Sequence, residues 1–214
     1  TGNKDGLAVY ENTAAFVFDC MQIKEGPCAG MVRWTENAWE SCYQDDVARA
    51  ILPTLLYQNF GEGCKYFKNA VDALAFLVKT TGADGLRVAR TECSQVYSEA
   101  ELKRLQRSGV GIPSAHFNGY YHAALLLAAR AGANEEFAKV AEKGLSNIMA
   151  LYPNTKRETS ETEELCRLIF PLAVLYEYTG KSEHYQWLLR VTNDLKRLQH
   201  PSLGYAEWDS GYQA

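Results

Sequence analysis

The chain has 214 residues, of which 47% are hydrophobic and 22% charged, and its formal net charge is −4. This composition supports one large domain with a real core and excludes disorder as the main state. There is no basic stripe for nucleic acid to bind, and no apolar run approaches the roughly 18 residues that span a bilayer, so neither nucleic acid nor membrane is an expected partner.

Residues 1–35 read as short extended segments. GLAVYENTAAFVFDC mixes β-branched and aromatic residues, and EGPCAG then breaks the chain. From Gln44 onward the pattern is helical and repeats itself. Three helical hairpins are expected, at 44–80, 115–152 and 161–199, with residues 200–214 starting a further repeat. Each hairpin is marked by a helix ending at a glycine (Gly61, Gly132, Gly180), as for a left-handed helix C-terminus. An aromatic follows five residues later: Tyr66, Phe137 and Tyr185. The first and third hairpins also share R-x-I-[LF]-P, with Arg49, Ile51 and Pro53 matching Arg167, Ile169 and Pro171.

The first helix of a pair is apolar nearly all round, and Tyr120–Ala131 is the clearest case. The second is amphipathic, with Phe137, Val140, Ala141, Leu145 and Ile148 on one face. Buried helices wrapped by one-sided helices describe an inner and an outer layer. The expected fold class is all-α, with α/α toroid-type hairpins in a partial ring and one domain over 1–214. The uneven repeat spacing favours this over a tetratricopeptide-like solenoid, which needs a fixed period near 34 residues. W-[DE]-S-x-Y-Q occurs at Trp39 and again at Trp208, so either the chain is a fragment or the ring is incomplete by design. An open ring exposes apolar surface, and a homodimer is the expected way to cover it.

Chemistry-bearing residues concentrate in the loops that enter the inner helices. The densest stretch, RWTENAWESCYQDDVAR at 33–49, holds Trp34, Glu36, Trp39, Glu40, Tyr43, Asp45, Asp46 and Arg49. One of the two aspartates is expected to cap the helix. Aromatic rings stack on the C–H faces of pyranoses, and carboxylates bind hydroxyl pairs. Glycoside hydrolysis needs one protonated and one ionised carboxyl group. Asp45, Asp46, Glu40 and Glu36 are therefore the catalytic candidates. Trp34, Trp39, Tyr43 and Arg49 are candidates for substrate binding. GIPSAHFNGYYH at 111–122 adds His116 and Asn118 to that set, and His122 reads as a core histidine. Ser160 and Glu163 read as a capping box, with Glu161 or Glu164 free to face the site. GYAEWDSGY adds Tyr205, Glu207, Trp208 and Asp209 at the mouth of the next repeat.

Six cysteines fall in no C-x-x-C spacing and read as free thiols. No G-x-S-x-G, P-loop, G-x-G-x-x-G or EF-hand loop is present, so no metal or other cofactor is expected.

At WESCYQDDVARAILPTLL the sequence resembles the six-hairpin glycosidase superfamily, in particular bacterial glycosidases with Y-x-D-D-x-x-R opening an inner helix. The resemblance implies an α/α toroid acting on an oligosaccharide or polysaccharide. It implies a funnel at the inner-helix N-termini, lined here by Tyr43, Asp45, Asp46 and Arg49. Three functions are carried forward. One is a glycoside hydrolase. The second is a non-catalytic helical-repeat binding module. The third is a sugar epimerase or polysaccharide lyase that abstracts a proton with His116 or a tyrosine.

Overall fold

The computed structural model describes residues 4–61, 63–202, 204 and 205. Its elements, in order, are α1 (Lys4–Ala15), a π turn (Phe16–Met21), β1 (Ser41–Tyr43), α2 (Gln44–Phe60), α3 (Phe67–Lys79), β2 (Arg90–Glu92), α4 (Cys93–Tyr97), α5 (Glu99–Leu105), α6 (Ala115–Arg130), α7 (Glu135–Leu151), α8 (Glu161–Thr179), α9 (Ser182–Arg197), β3 (Gln199–His200) and β4 (Gly204–Tyr205). The fold is all-α. β1 and β2 form a short antiparallel ribbon, with Cys42 opposite Thr91.

Helix α6 is the centre of the molecule. It packs against α2 on one side and α8 on the other, while α7 covers its back and α9 covers α8. Its sequence AHFNGYYHAALLLAAR is rich in Ala and Leu, which favour helix, and it buries residues on every side. Each of the wholly buried Leu125, Leu126 and Leu127 contributes roughly 1.5–3 kcal/mol relative to exposure. Gly119 permits the close approach of α8: a Cβ there would run into the Arg167 carbonyl. The outer helices α3, α7 and α9 bury one face each.

Three expectations are corrected. The N-terminal 35 residues are not extended throughout, because α1 and the π turn occupy most of the first 21. Aromatic side chains anchor this segment: Tyr10 Oη donates to Thr54 Oγ1 at 3.1 Å, and Phe18 stacks on Tyr66 at 5.3 Å. Gly132 and Gly180 adopt positive φ at their helix ends, but Gly61 does not. It is extended, and the chain turns instead at Gly63, with φ 118°. Finally, His116 and Asn118 do not precede α6; they lie in its first turns.

Candidate functional site

The N-termini of α2, α6 and α8 converge. β1 runs straight into α2, and Asp45 and Asp46 fall in the first turn of that helix. Their negative charge complements the helix dipole. Asp45 is buried, and Asp46 is half-buried beside it. Arg49, one turn later, donates to both: to Asp45 Oδ2 at 3.0 Å and to Asp46 Oδ1 at a shorter distance. Pairs four apart face one another on a helix.

The third inner helix repeats this pairing. Glu163 and Arg167, also four apart, are joined Nη2 to Oε1 at 2.6 Å. Arg167 Nη1 lies 3.8 Å from Asp45 Oδ2 and donates to the His116 carbonyl at 3.1 Å. His116 stands between the two acids. Its Nε2 is 3.8 Å from Asp45 Oδ2 and its Nδ1 is 3.3 Å from Glu163 Oε1, at an angle that makes no hydrogen bond.

Glu164 holds α6 in place from below. Its buried carboxylate accepts from Ser114 Oγ at 2.8 Å, the Ala115 N–H at 2.7 Å and the His116 N–H at 3.2 Å. Thus a carboxylate on α8 satisfies N-terminal amides of α6 that no intrahelical partner reaches. Desolvation raises the Glu164 pKa, and these three donors oppose the rise. The Asp45 carboxyl is also raised, chiefly by desolvation and then by the Asp46 charge, against the pull of Arg49, His116 and Arg167.

A pocket of about 400 Å³ opens over this cluster, lined by Trp34, Tyr43, Asp45, Asp46, Arg49, Ala89, His116, Phe117 and Glu158. The Trp34 and Tyr43 rings pack against each other at 4.8 Å, and Trp34 remains 45% exposed. The pocket therefore offers an accessible aromatic face, a buried carboxyl group and a carboxylate paired to arginine. Among the described residues, no group of three or more His, Cys, Asp or Glu side chains is placed to hold a metal ion.

The candidates from sequence divide clearly. Trp34, Tyr43, Asp45, Asp46, Arg49 and His116 share the pocket. Glu36, Glu40 and Trp39 are exposed and do not line it; Trp39 instead lies under the Arg33 guanidinium at 4.1 Å. Asn118 is wholly buried, so it is not available to substrate. Its amide donates to the Ile112 and Ser114 carbonyls, and its oxygen accepts from the Arg87 N–H. Tyr205 belongs to β4 by its backbone, which pairs with Gln199. Glu207, Trp208 and Asp209 lie outside the described residues.

The sequence reading did not assign Glu163, Arg167 or Glu158 to the site. A signal for Arg167 was nevertheless present, since the R-x-I-[LF]-P match aligns it with Arg49. Ser160 does cap α8 through the Glu163 N–H at 3.2 Å, but the Glu163 side chain is engaged with Arg167. His122 is buried in α6 with Nε2 2.8 Å from the Gly85 carbonyl, and burial pushes its pKa down to about 4. No protein-family model matches the chain, and no curated protein matches it either.

Proposed function

We propose that the chain is a carbohydrate-active domain of α/α toroid type, and that it acts as a glycoside hydrolase on an oligosaccharide or polysaccharide. The observation that carries this reading is Asp45: a buried carboxyl group with a raised pKa, on the wall of an open pocket beside Trp34 and Asp46. In this reading the exposed face of Trp34 stacks on the sugar. Asp45, whose raised pKa favours the acid form, serves as the general acid and donates a proton to the glycosidic oxygen as the C–O bond breaks. Asp46, paired to Arg49, receives a proton from the attacking water or stabilises the positive charge developing at the anomeric carbon. His116, Arg167 and Glu163 hold Asp45 in position from behind. Glu36 and Glu40 have no part, because they do not line the pocket.

A second reading, glycan binding without cleavage, is favoured by one specific feature. Arg49 engages both aspartates, so the cluster is charge-paired without a ligand.

The test is a panel of neutral and uronic oligosaccharides, scored for thermal shift and for product in every well. A ligand of the native state raises the melting point by mass action. The hydrolase reading expects a shift with a new reducing end, and at least about a 100-fold loss of turnover in Asp45→Asn. A shift without product overturns it in favour of the binding module. An isomer or an unsaturated product overturns it in favour of an epimerase or a lyase using His116.

A further inference from the structure

The polar pocket continues into a second, apolar groove. The two share Trp34, Tyr43 and Asp46. Beyond them the groove is walled by Phe16, Val17 and Met21 of the π turn, by Val32 and Arg33, and by Val47 and Ala50 of α2, so its wall is mainly apolar with one guanidinium. The π turn accounts for part of this wall. Its hydrogen bonds close over five residues, which brings Phe16 and Met21 to the same side. The exposed carboxylate edge of Asp46 marks the boundary. On one side of it α2 presents Asp45 and Arg49, and on the other Val47 and Ala50.

The groove holds about 140 Å³. That is close to the cavity of about 150 Å³ that accommodates a benzene molecule in an engineered protein core. Phe16 is 51% exposed, so an aromatic surface is left uncovered at the groove as it is at Trp34.

We propose that this groove is an aglycone subsite that takes a single aromatic ring, and that the preferred substrate is an aryl glycoside. The proposal rests on the carbohydrate reading of the adjoining pocket. The sugar occupies the polar pocket, the linking oxygen lies at the Trp34–Asp46 boundary, and the ring enters between Phe16 and Val47. Such a substrate fits because the apolar and polar halves of the cleft adjoin and share Trp34, Tyr43 and Asp46. A sugar ring in the apolar half would find few polar partners beyond Arg33 and Asp46, so most of its hydroxyls would lose hydrogen bonds made to water, at a cost in binding.

The ring is tested first without any sugar. Titration of 4-fluorophenol, followed by fluorine NMR, is expected to show saturable binding in the roughly millimolar range usual for so small a ligand. Ala50→Trp, at an exposed position, is expected to fill the groove and weaken binding at least tenfold. Phe16→Ala is expected to weaken it as well, which covers the case of misfolding in the first variant. Phe60→Ala, exposed and remote from the groove, is expected to change nothing. Among paired methyl and phenyl glycosides, the phenyl member is expected to bind at least tenfold more tightly. Absence of saturable binding, or equal binding by wild type, Ala50→Trp and Phe16→Ala, overturns the proposal. Displacement of the ring by hexanol at lower concentration than by phenol overturns the aromatic assignment. Ring binding at the groove with no glycoside bound or cleaved supports the groove and overturns the hydrolase reading, so the two failures are distinguishable.

Discussion

Arg49 and Arg167 reach the same oxygen from different helices: Asp45 Oδ2 lies 3.0 Å from one guanidinium and 3.8 Å from the other. The two arginines occupy matching positions of α2 and α8, each four residues after its own acid. Asp45 thus sits at the meeting point of two similar acid–arginine pairs, with His116 of α6 between them.

Both arginines oppose the rise in the Asp45 pKa, so removing either is expected to push it higher. Carboxyl carbon NMR of Asp45 against pH reads this directly. Arg49→Gln and Arg167→Gln both move the titration upward. Stability follows with a definite sign: a carboxyl raised in the folded state binds protons more tightly there, so its contribution falls as pH rises from the unfolded value through the folded one. Asp45→Asn is expected to remove that fall. Unchanged titration in both arginine variants would show that neither guanidinium acts on Asp45.

Trp34 belongs to both halves of the cleft and is accessible. Trp34→Ala is expected to raise KM about tenfold, the scale of roughly 1.4 kcal/mol for one lost stacking contact, with little change in kcat. A fall in kcat at constant KM would place Trp34 at the reacting atoms instead.

Glu164 is expected to matter through position. Glu164→Ala strips Ser114 Oγ and the Ala115 N–H of their acceptor, while the His116 N–H keeps Ser114 Oγ, and should cost about 3 kcal/mol in denaturant unfolding. Glu164→Gln retains part of the network and should cost less. Equal stability of the alanine variant and wild type would contradict the trans-cap.

His122 gives a second pH signature. Its pKa of about 4 in the folded chain lies below the ordinary 6.5, so the folded state resists protonation. This stability is fully present above pH 6.5 and is lost as pH falls towards 4, by about 3 kcal/mol in all. His122→Asn is expected to flatten that window in a pH series of unfolding curves. Gly144 supports the same site: a Cβ there would come within 2.5 Å of His122 Cε1 and the Gly85 carbonyl. Gly144→Ala is therefore expected to destabilise by roughly 1–3 kcal/mol.

The hairpins were legible because α3, α6, α7 and α9 carry strong apolar patterns. The Y-x-D-D-x-x-R stretch was legible as a candidate site because two aspartates crowd one helix start. The cap expected of one of them is not made, since the N-cap of α2 is Tyr43, without a side-chain hydrogen bond, and both aspartates accept from Arg49. Helix α1 was not legible: KDGLAVYENTAA has Gly6, Asn12 and Thr13 in its interior and no sustained apolar stripe, and it is fixed by contacts such as Tyr10 to Thr54. Asn118 was misread because a polar residue near His116 looks the same whether it faces solvent or the backbone. Its burial follows from the loop at 112–114, which closes over it. Glu163 was half read, since its amide obeys the local capping rule while its carboxylate pairs with Arg167 one turn along α8.

The placement of α6 ties the proposed site to assembly. The exposed stretch at 153–159 separates two portions of chain, one carrying Asp45, Arg49 and His116 and the other Glu163, Glu164 and Arg167. Neither portion alone encloses the acid that the proposed chemistry uses. Without α8 docked on α6, Asp45 would lack Arg167 and the cover that α8 gives to the His116 side of the cluster. Competence for the proposed reaction would then follow the arrival of the α8–α9 hairpin.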